Sequence, residues 1–140
     1  RLQREVRWTG IPPSNFITVR ADLVDFWRLM LTGGIHPIKH YLLYPNPWPK
    51  KDQLQRRWHG HPVFPTVIAL GGQIECRSNW QTYVDEFALA VTQLTGVMPS
   101  VERFHPNPAA PLTPFEEKYL ASGHTLWRAC VTLPDRPQSS

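Results

Sequence analysis

The stretch YLLYPNPWPKK, residues 41–51, sets a run of strand-type apolar residues against three prolines, an asparagine, a tryptophan and two lysines. A continuous apolar run closed by Pro45 fits a strand buried on both faces of a parallel sheet. In open α/β sheets, ligands lie in the crevice beyond the carboxyl ends of the strands. Rigid, aromatic and basic residues crowded just after such a strand therefore mark a binding edge. On structural grounds alone the same residues also make a stiff turn with Trp48 packed on the core.

The flanking sequence supports an α/β chain. FITVR begins with a β-branched run, Phe16 to Val19, which predicts a strand. It leads through Arg20-Ala21-Asp22 into a helix with Leu23, Phe26, Trp27 and Met30 on one side. QIECRS follows a Gly71-Gly72 turn as another strand. NWQTYVDEFALAVTQL then places Trp80, Val84, Phe87, Ala88, Val91 and Leu94 at helical spacing, with Asn79 positioned to cap. Thr113, Pro114 and Glu116 form a capping-box pattern with proline at the first helical position, and Gly123 suits the far end. These signals predict a helix over 114–121, and TLWRACVTL closes as a strand. Alternating strands and helices give an α/β class with a mostly parallel sheet.

Composition bounds the rest. With 41% hydrophobic residues, six tryptophans and six phenylalanines, 140 residues can bury the core of one domain. The 15 prolines cluster in loops such as PNPWP and FHPNPAAPLTP. Cys76 and Cys130 stand alone in strand-like runs, without the spacing of a zinc site or disulfide framework. No apolar run reaches the roughly 20 residues of a membrane span, and the expected setting is a soluble protein of the reducing cytoplasm. His59 and His61 lack a neighbouring thiolate or carboxylate at ligand spacing, so no metal is expected. His124 is expected to pack or hydrogen-bond near Trp127.

Charge is concentrated beside the opening stretch. Lys50, Lys51, Arg56 and Arg57 stand against Asp52 alone, which places +3 of the chain's net +4 there. Such a run is either a solvated face or a site for an anionic backbone such as RNA.

These residues resemble a known family. YPNPWPKKDQLQRR is similar to the F-P-D-P-W-P-K-K loop and basic helix of the bacterial tRNA (guanine-N7)-methyltransferases. VRADLVDF resembles that family's cofactor-pocket segment, and RSNWQTYVDEF resembles its T-D-x-x-x-Y segment. LTPFEEKYLASGHTLWRA resembles its T-x-F-E and G-H-x-x-W ending.

The resemblance implies a Rossmann-like class I methyltransferase sheet, S-adenosyl-L-methionine as donor and tRNA as substrate. It implies Asp22 at the cofactor, Asn46 at the catalytic position and Lys50, Asn79, Thr113 and Glu116 at substrate positions. Lys51, Arg56 and Arg57 would hold RNA backbone. The family carries aspartate where this chain has Asn46, and again at Asn79.

The family's glycine-rich cofactor loop has no counterpart in the sequence, so residues 1–133 read as the C-terminal part of a methyltransferase domain and 134–140 as a flexible tail. In the implied strand order 3-2-1-4-5-7-6, loss of strands 1 and 2 leaves FITVR apart from YLLYP. A sheet without its middle calls for a longer protein or a second chain, as in a homo-oligomer that completes the sheet.

Asn46 also permits two alternatives. One is an exocyclic-amine methyltransferase using the NPW segment in the manner of an N-P-P-Y loop. The other is a relative that binds RNA or protein without methylating. For Asp22, Asn79 and Thr113/Glu116, helix capping accounts for the residue types without a ligand.

Overall fold

The computed structural model describes residues 19–134. The strand expected at Phe16 to Val19 falls largely outside them, and Val19 itself is exposed and irregular. Helix α1 (Leu23–Thr32) leads to β1 (Lys39–Leu43). Two short 3₁₀ turns (Lys51–Arg56 and Trp58–Gly60) precede α2 (Phe64–Ala69) and β2 (Gln73–Ser78). Then come α3 (Gln81–Thr95), β3 (Ser100–Phe104), α4 (Pro114–Ala121) and β4 (Leu126–Thr132).

The four strands form one sheet in the order β1-β2-β4-β3. β1 and β2 run parallel across the α2 crossover, and β4 is inserted antiparallel between β2 and β3. This order is the 4-5-7-6 portion of the arrangement that the resemblance implies. The expectation of a mostly parallel sheet is corrected for the described strands: one pair is parallel and two are antiparallel, because the last strand enters between its predecessors.

Packing is one-sided, and strand alternation explains why. Leu42, Ile74, Cys76, Ala129 and Val131 are buried in one cluster with Phe64, Val67, Tyr83, Phe87 and Val91 of α2 and α3. The residues between them, including Lys39, Glu75, Arg77 and Arg128, carry charge: Lys39 and Arg77 pair with Glu75, and Arg128 pairs with Glu102. β1 is therefore not buried on both faces as its apolar run predicts. Within that strand only Leu42 is buried, and Tyr41 is 41% exposed.

The helices follow their patterns with local exceptions. α4 matches the expected 114–121, with Gly123 at φ +72° just past its end. α3 buries Tyr83, Val84, Phe87, Ala88 and Val91, whereas the predicted Leu94 stays half exposed. In α1 only Trp27 is buried, leaving Leu23 and Phe26 exposed. β3 and α2 are absent from the sequence-based prediction. SVERF buries Phe104 alone, and FPTVIA is too short to display a helical period.

The turn before β2 ties three strands together. The Gln73 amide donates to the Ile38 carbonyl and the Leu133 amide to the Gly72 carbonyl. Gly72 adopts φ +75°, and a Cβ there would lie 2.2 Å from the Pro37 carbonyl oxygen. Gly72→Ala is therefore expected to destabilise the fold by roughly 2–4 kcal/mol, read from urea unfolding midpoints.

Candidate substrate and cofactor crevice

The segment after β1 is an ordered loop that turns sharply at two aromatic residues. Tyr44 (φ +51°) and Trp48 (φ +44°) both lie in the left-handed region, which disfavours bulky side chains. Each costs about 1–3 kcal/mol and persists only where surrounding contacts over-determine it. Those contacts are present. The Tyr44 amide donates to the Arg77 carbonyl, continuing the strand ladder. The Tyr44 hydroxyl donates to Glu116 at 2.5 Å, and Asn46 Oδ1 accepts from the Trp48 amide at 3.3 Å.

Arg57 fixes the far end of the loop. Its Nε donates to the carbonyls of Pro47 (3.0 Å) and Trp48 (3.1 Å). Its guanidinium pairs with Glu86 of α3 and lies over the Trp80 ring at 4.9 Å. Arg57 is 3% exposed, and its Nε and Nη1 donate to partners within the fold. Lys50, Lys51 and Arg56 are exposed, and Arg56 stacks on Trp48 at 4.9 Å.

Beyond the loop lies an open crevice of about 460 Å³. Asp22, Leu23 and Val24 form one wall, and Asn46, Trp48 and Arg56 form another. Trp58 and His61 also line it. The residues expected at the cofactor and at the catalytic position thus share one cavity. Asp22 caps α1 through Oδ1, which accepts from Val24 (2.9 Å) and Asp25 (3.3 Å) amides. Capping and ligand contact are compatible, because a carboxylate has a second oxygen.

The remaining candidates sit on the other side of the loop. Thr113 caps α4 by accepting from the Glu116 amide at 3.1 Å. The Glu116 carboxylate does not return to Thr113, as a full capping box requires. It accepts from the Leu112 amide (2.9 Å), Arg77 (2.7 Å) and Tyr44, and it is fully buried. Asn79 does not cap α3, because the N-cap position falls at Trp80, which makes no side-chain cap bond. Asn79 instead meets His124 Nδ1 at 3.3 Å, and the His124 ring stacks on Tyr119. Asp22 and Asn46 therefore line the crevice, whereas Asn79, Thr113 and Glu116 are not among its lining residues.

Sequence reading missed Arg77, Tyr44 and His61. Arg77 carried no signal, since its partner Glu116 is distant in sequence, whereas the two histidines of HGH were weighed only as metal ligands. Among the described residues no group of three His, Cys, Asp or Glu side chains could hold a metal, and no helix is long and apolar enough to cross a membrane. Cys76 and Cys130 are free, and burial pushes the Cys130 thiol up to about 11.

Electrostatics make the scaffold acid-sensitive. Burial alone would raise the carboxyls of Glu75, Glu86 and Glu116, but their hydrogen bonds to arginine, tyrosine, histidine or amide donors hold all three below the ordinary 4.5. Burial lowers His40 and His59 below 6.5. All five groups bind protons more weakly folded than unfolded, so stability rises with pH. Melting temperature is expected to fall first as the two imidazoles titrate below about pH 6.5 and further below about pH 4.5. Glu116→Gln should cost about 1–3 kcal/mol at neutral pH and shrink the acid-dependent loss, measured by thermal melts across pH.

No protein-family model matches the chain. Curated relatives do. It is 29% identical over 122 residues to a tRNA (guanine-N(7)-)-methyltransferase of Acidovorax sp. (strain JS42), covering 84% of this chain and 48% of the relative. The Bordetella pertussis (strain Tohama I) protein of the same name is 29% identical over 126 residues, covering 81% and 46%. That of Ralstonia pickettii (strain 12J) is 27% identical over 129 residues, covering 89% and 47%. The chain spans about half the length of the curated relatives it matches. Over about four-fifths of its length the chain is thus similar to bacterial proteins named tRNA (guanine-N(7)-)-methyltransferase.

Proposed function

We propose that this chain is part of an S-adenosyl-L-methionine-dependent methyltransferase that modifies the N7 of a guanine in tRNA, acting in the cytoplasm. The observation that carries this reading is the shared crevice of Asp22, Asn46 and Trp48, at the carboxyl end of β1. Its residues suit the cofactor: the free oxygen of Asp22 can accept an N–H, and Leu23 and Val24 offer apolar contact beside it. When bound, S-adenosyl-L-methionine supplies an electrophilic methyl group.

The chain's own residues then have a positioning task. Guanine N7 carries a free lone pair, so no strong base is required, and holding the base in line can account for much of the acceleration. Trp48 gives a flat aromatic surface in a fixed loop, suited to stacking on a base. Asn46 lies beside it with Oδ1 already accepting from the Trp48 amide, which leaves the amide Nδ2 as its free donor. A carboxylate at this position would accept from guanine N–H groups, so the natural asparagine should hold guanine more weakly. Lys50, Lys51 and Arg56 are exposed and would meet RNA phosphates, while Asn79, Thr113 and Glu116 would act on the substrate side through the scaffold that shapes the loop. The outer edge of β1 is where a second chain would complete the sheet.

The direct test is methyl transfer from labelled cofactor to tRNA by the full-length protein, with N7-methylguanosine in the nuclease digest. No transfer to any tRNA, or an amine-methylated base as the only product, overturns the reading. Asn46→Asp is expected to raise kcat/KM.

The basic residues separate in a second experiment. Combined Lys50→Gln, Lys51→Gln and Arg56→Gln should weaken tRNA binding and flatten the salt dependence of log K by about two to three units. Arg57→Gln should instead lower the melting temperature, because it leaves Glu86 and two loop carbonyls without their donor.

A further inference from the structure

We propose that His61 is a specificity-determining residue of the crevice, reading the 6-oxo group of a purine through its Nε2 proton. The inference rests on the reading of this crevice as a base-binding site. Its starting point is a tautomer fixed by the backbone. His61 Nδ1 accepts from the Val63 amide at 3.0 Å, so in the neutral ring the proton resides on Nε2. Among the described residues no acceptor meets that Nε2–H.

The ring is also held in place. Trp58 packs beside it, with centroids 5.7 Å apart, and Trp58 in turn meets the buried Trp27 edge-on at 4.9 Å. The Trp58 amide lies 3.2 Å from the Tyr83 hydroxyl of α3. A backbone bond, an aromatic neighbour and a buried anchor thus leave His61 little freedom, as a residue that reads a ligand edge requires.

The polar character of the crevice then selects the ligand. Two indoles, Trp48 and Trp58, line it together with Leu23 and Val24, which suits a flat heterocycle. The spare polar group of His61 is an N–H donor, because its Nδ1 already accepts from the Val63 amide. Donors match a carbonyl oxygen such as the O6 of guanine or hypoxanthine. They oppose the 6-amino group of adenine, which presents its own N–H. A half-buried donor left facing another donor loses its hydrogen bond, so discrimination of about ten- to a hundredfold is expected.

The test uses four nucleosides on the full-length protein: guanosine, inosine, adenosine and 2-aminopurine riboside, with affinities from calorimetry or ligand-observed NMR. Guanosine and inosine should bind about ten- to a hundredfold more tightly than adenosine and 2-aminopurine riboside, which lack the 6-oxo group. His61→Phe keeps a ring against Trp58 but has no N–H, and should erase that preference. His61→Gln places an amide N–H near the Nε2 position and should restore it.

Equal binding of 2-aminopurine riboside and guanosine overturns the proposal on the wild-type protein, with no need for a variant to fold. So does a preference that survives His61→Phe, or failure of all four nucleosides to bind. If methyl transfer to tRNA guanine proceeds while the preference survives His61→Phe, this inference fails and the methyltransferase reading stands. If no methyl is transferred but a His61-dependent preference for 6-oxo purines is found, the inference stands and the methyltransferase reading falls.

Discussion

A guanidinium taken out of water must find acceptors for its donors, and Arg57 does so by organising everything around it. It draws in the carbonyls of Pro47 and Trp48, the carboxylate of Glu86 and the face of Trp80. The loop after β1 is thereby fastened to α3, which is packed against β2 and β4 through the hydrophobic core. Removing one partner of a buried charged pair leaves the other uncompensated, typically at about 3–5 kcal/mol. That constraint lets Trp48 stay in a left-handed conformation, and Trp48 in turn forms one wall of the crevice.

Glu116 plays the matching role at the loop's other end. The side chain is fully buried, yet it accepts from Tyr44, Arg77 and the Leu112 amide, so its charge is neutralised where it lies. Through Tyr44 it connects α4 to the first residue of the loop, and through Arg77 it connects α4 to β2. The position that resemblance assigns to substrate therefore has a structural occupation, because every hydrogen bond of Glu116 goes to the scaffold that shapes the loop.

Between these two anchors, the crevice differs from a carboxylate-lined site in the sign of what it offers. Asn46 and His61 bring N–H groups and no negative charge, and Asp22 alone supplies a carboxylate. Asparagine in place of aspartate removes a negative charge and adds two N–H donors while keeping one acceptor oxygen. The backbone course of the loop does not depend on that choice, since an Asx-type bond to the Trp48 amide can be made by either residue.

Much of this was legible in the sequence. The proline after the apolar run marked the end of β1, Thr113 and Pro114 marked the start of α4, and the spacing of Val84, Phe87, Ala88 and Val91 gave the buried face of α3. Such signals are local: a cap, a ring-locked φ or a repeat of 3.6 is decided within a few residues. The motif order also carried the resemblance to the curated relatives. What only the tertiary structure decided depends on partners far apart in the chain. Arg57 and Arg56 are adjacent and chemically identical, yet one is buried beneath the loop and the other stacks on its surface, because only Arg57 faces Glu86 and Trp80. SVERF shows no strand period of its own, and β3 exists because β4 supplies its hydrogen-bonding edge. His61 is held by a bond from the Val63 amide and by contact with Trp58, neither of which its sequence neighbours announce.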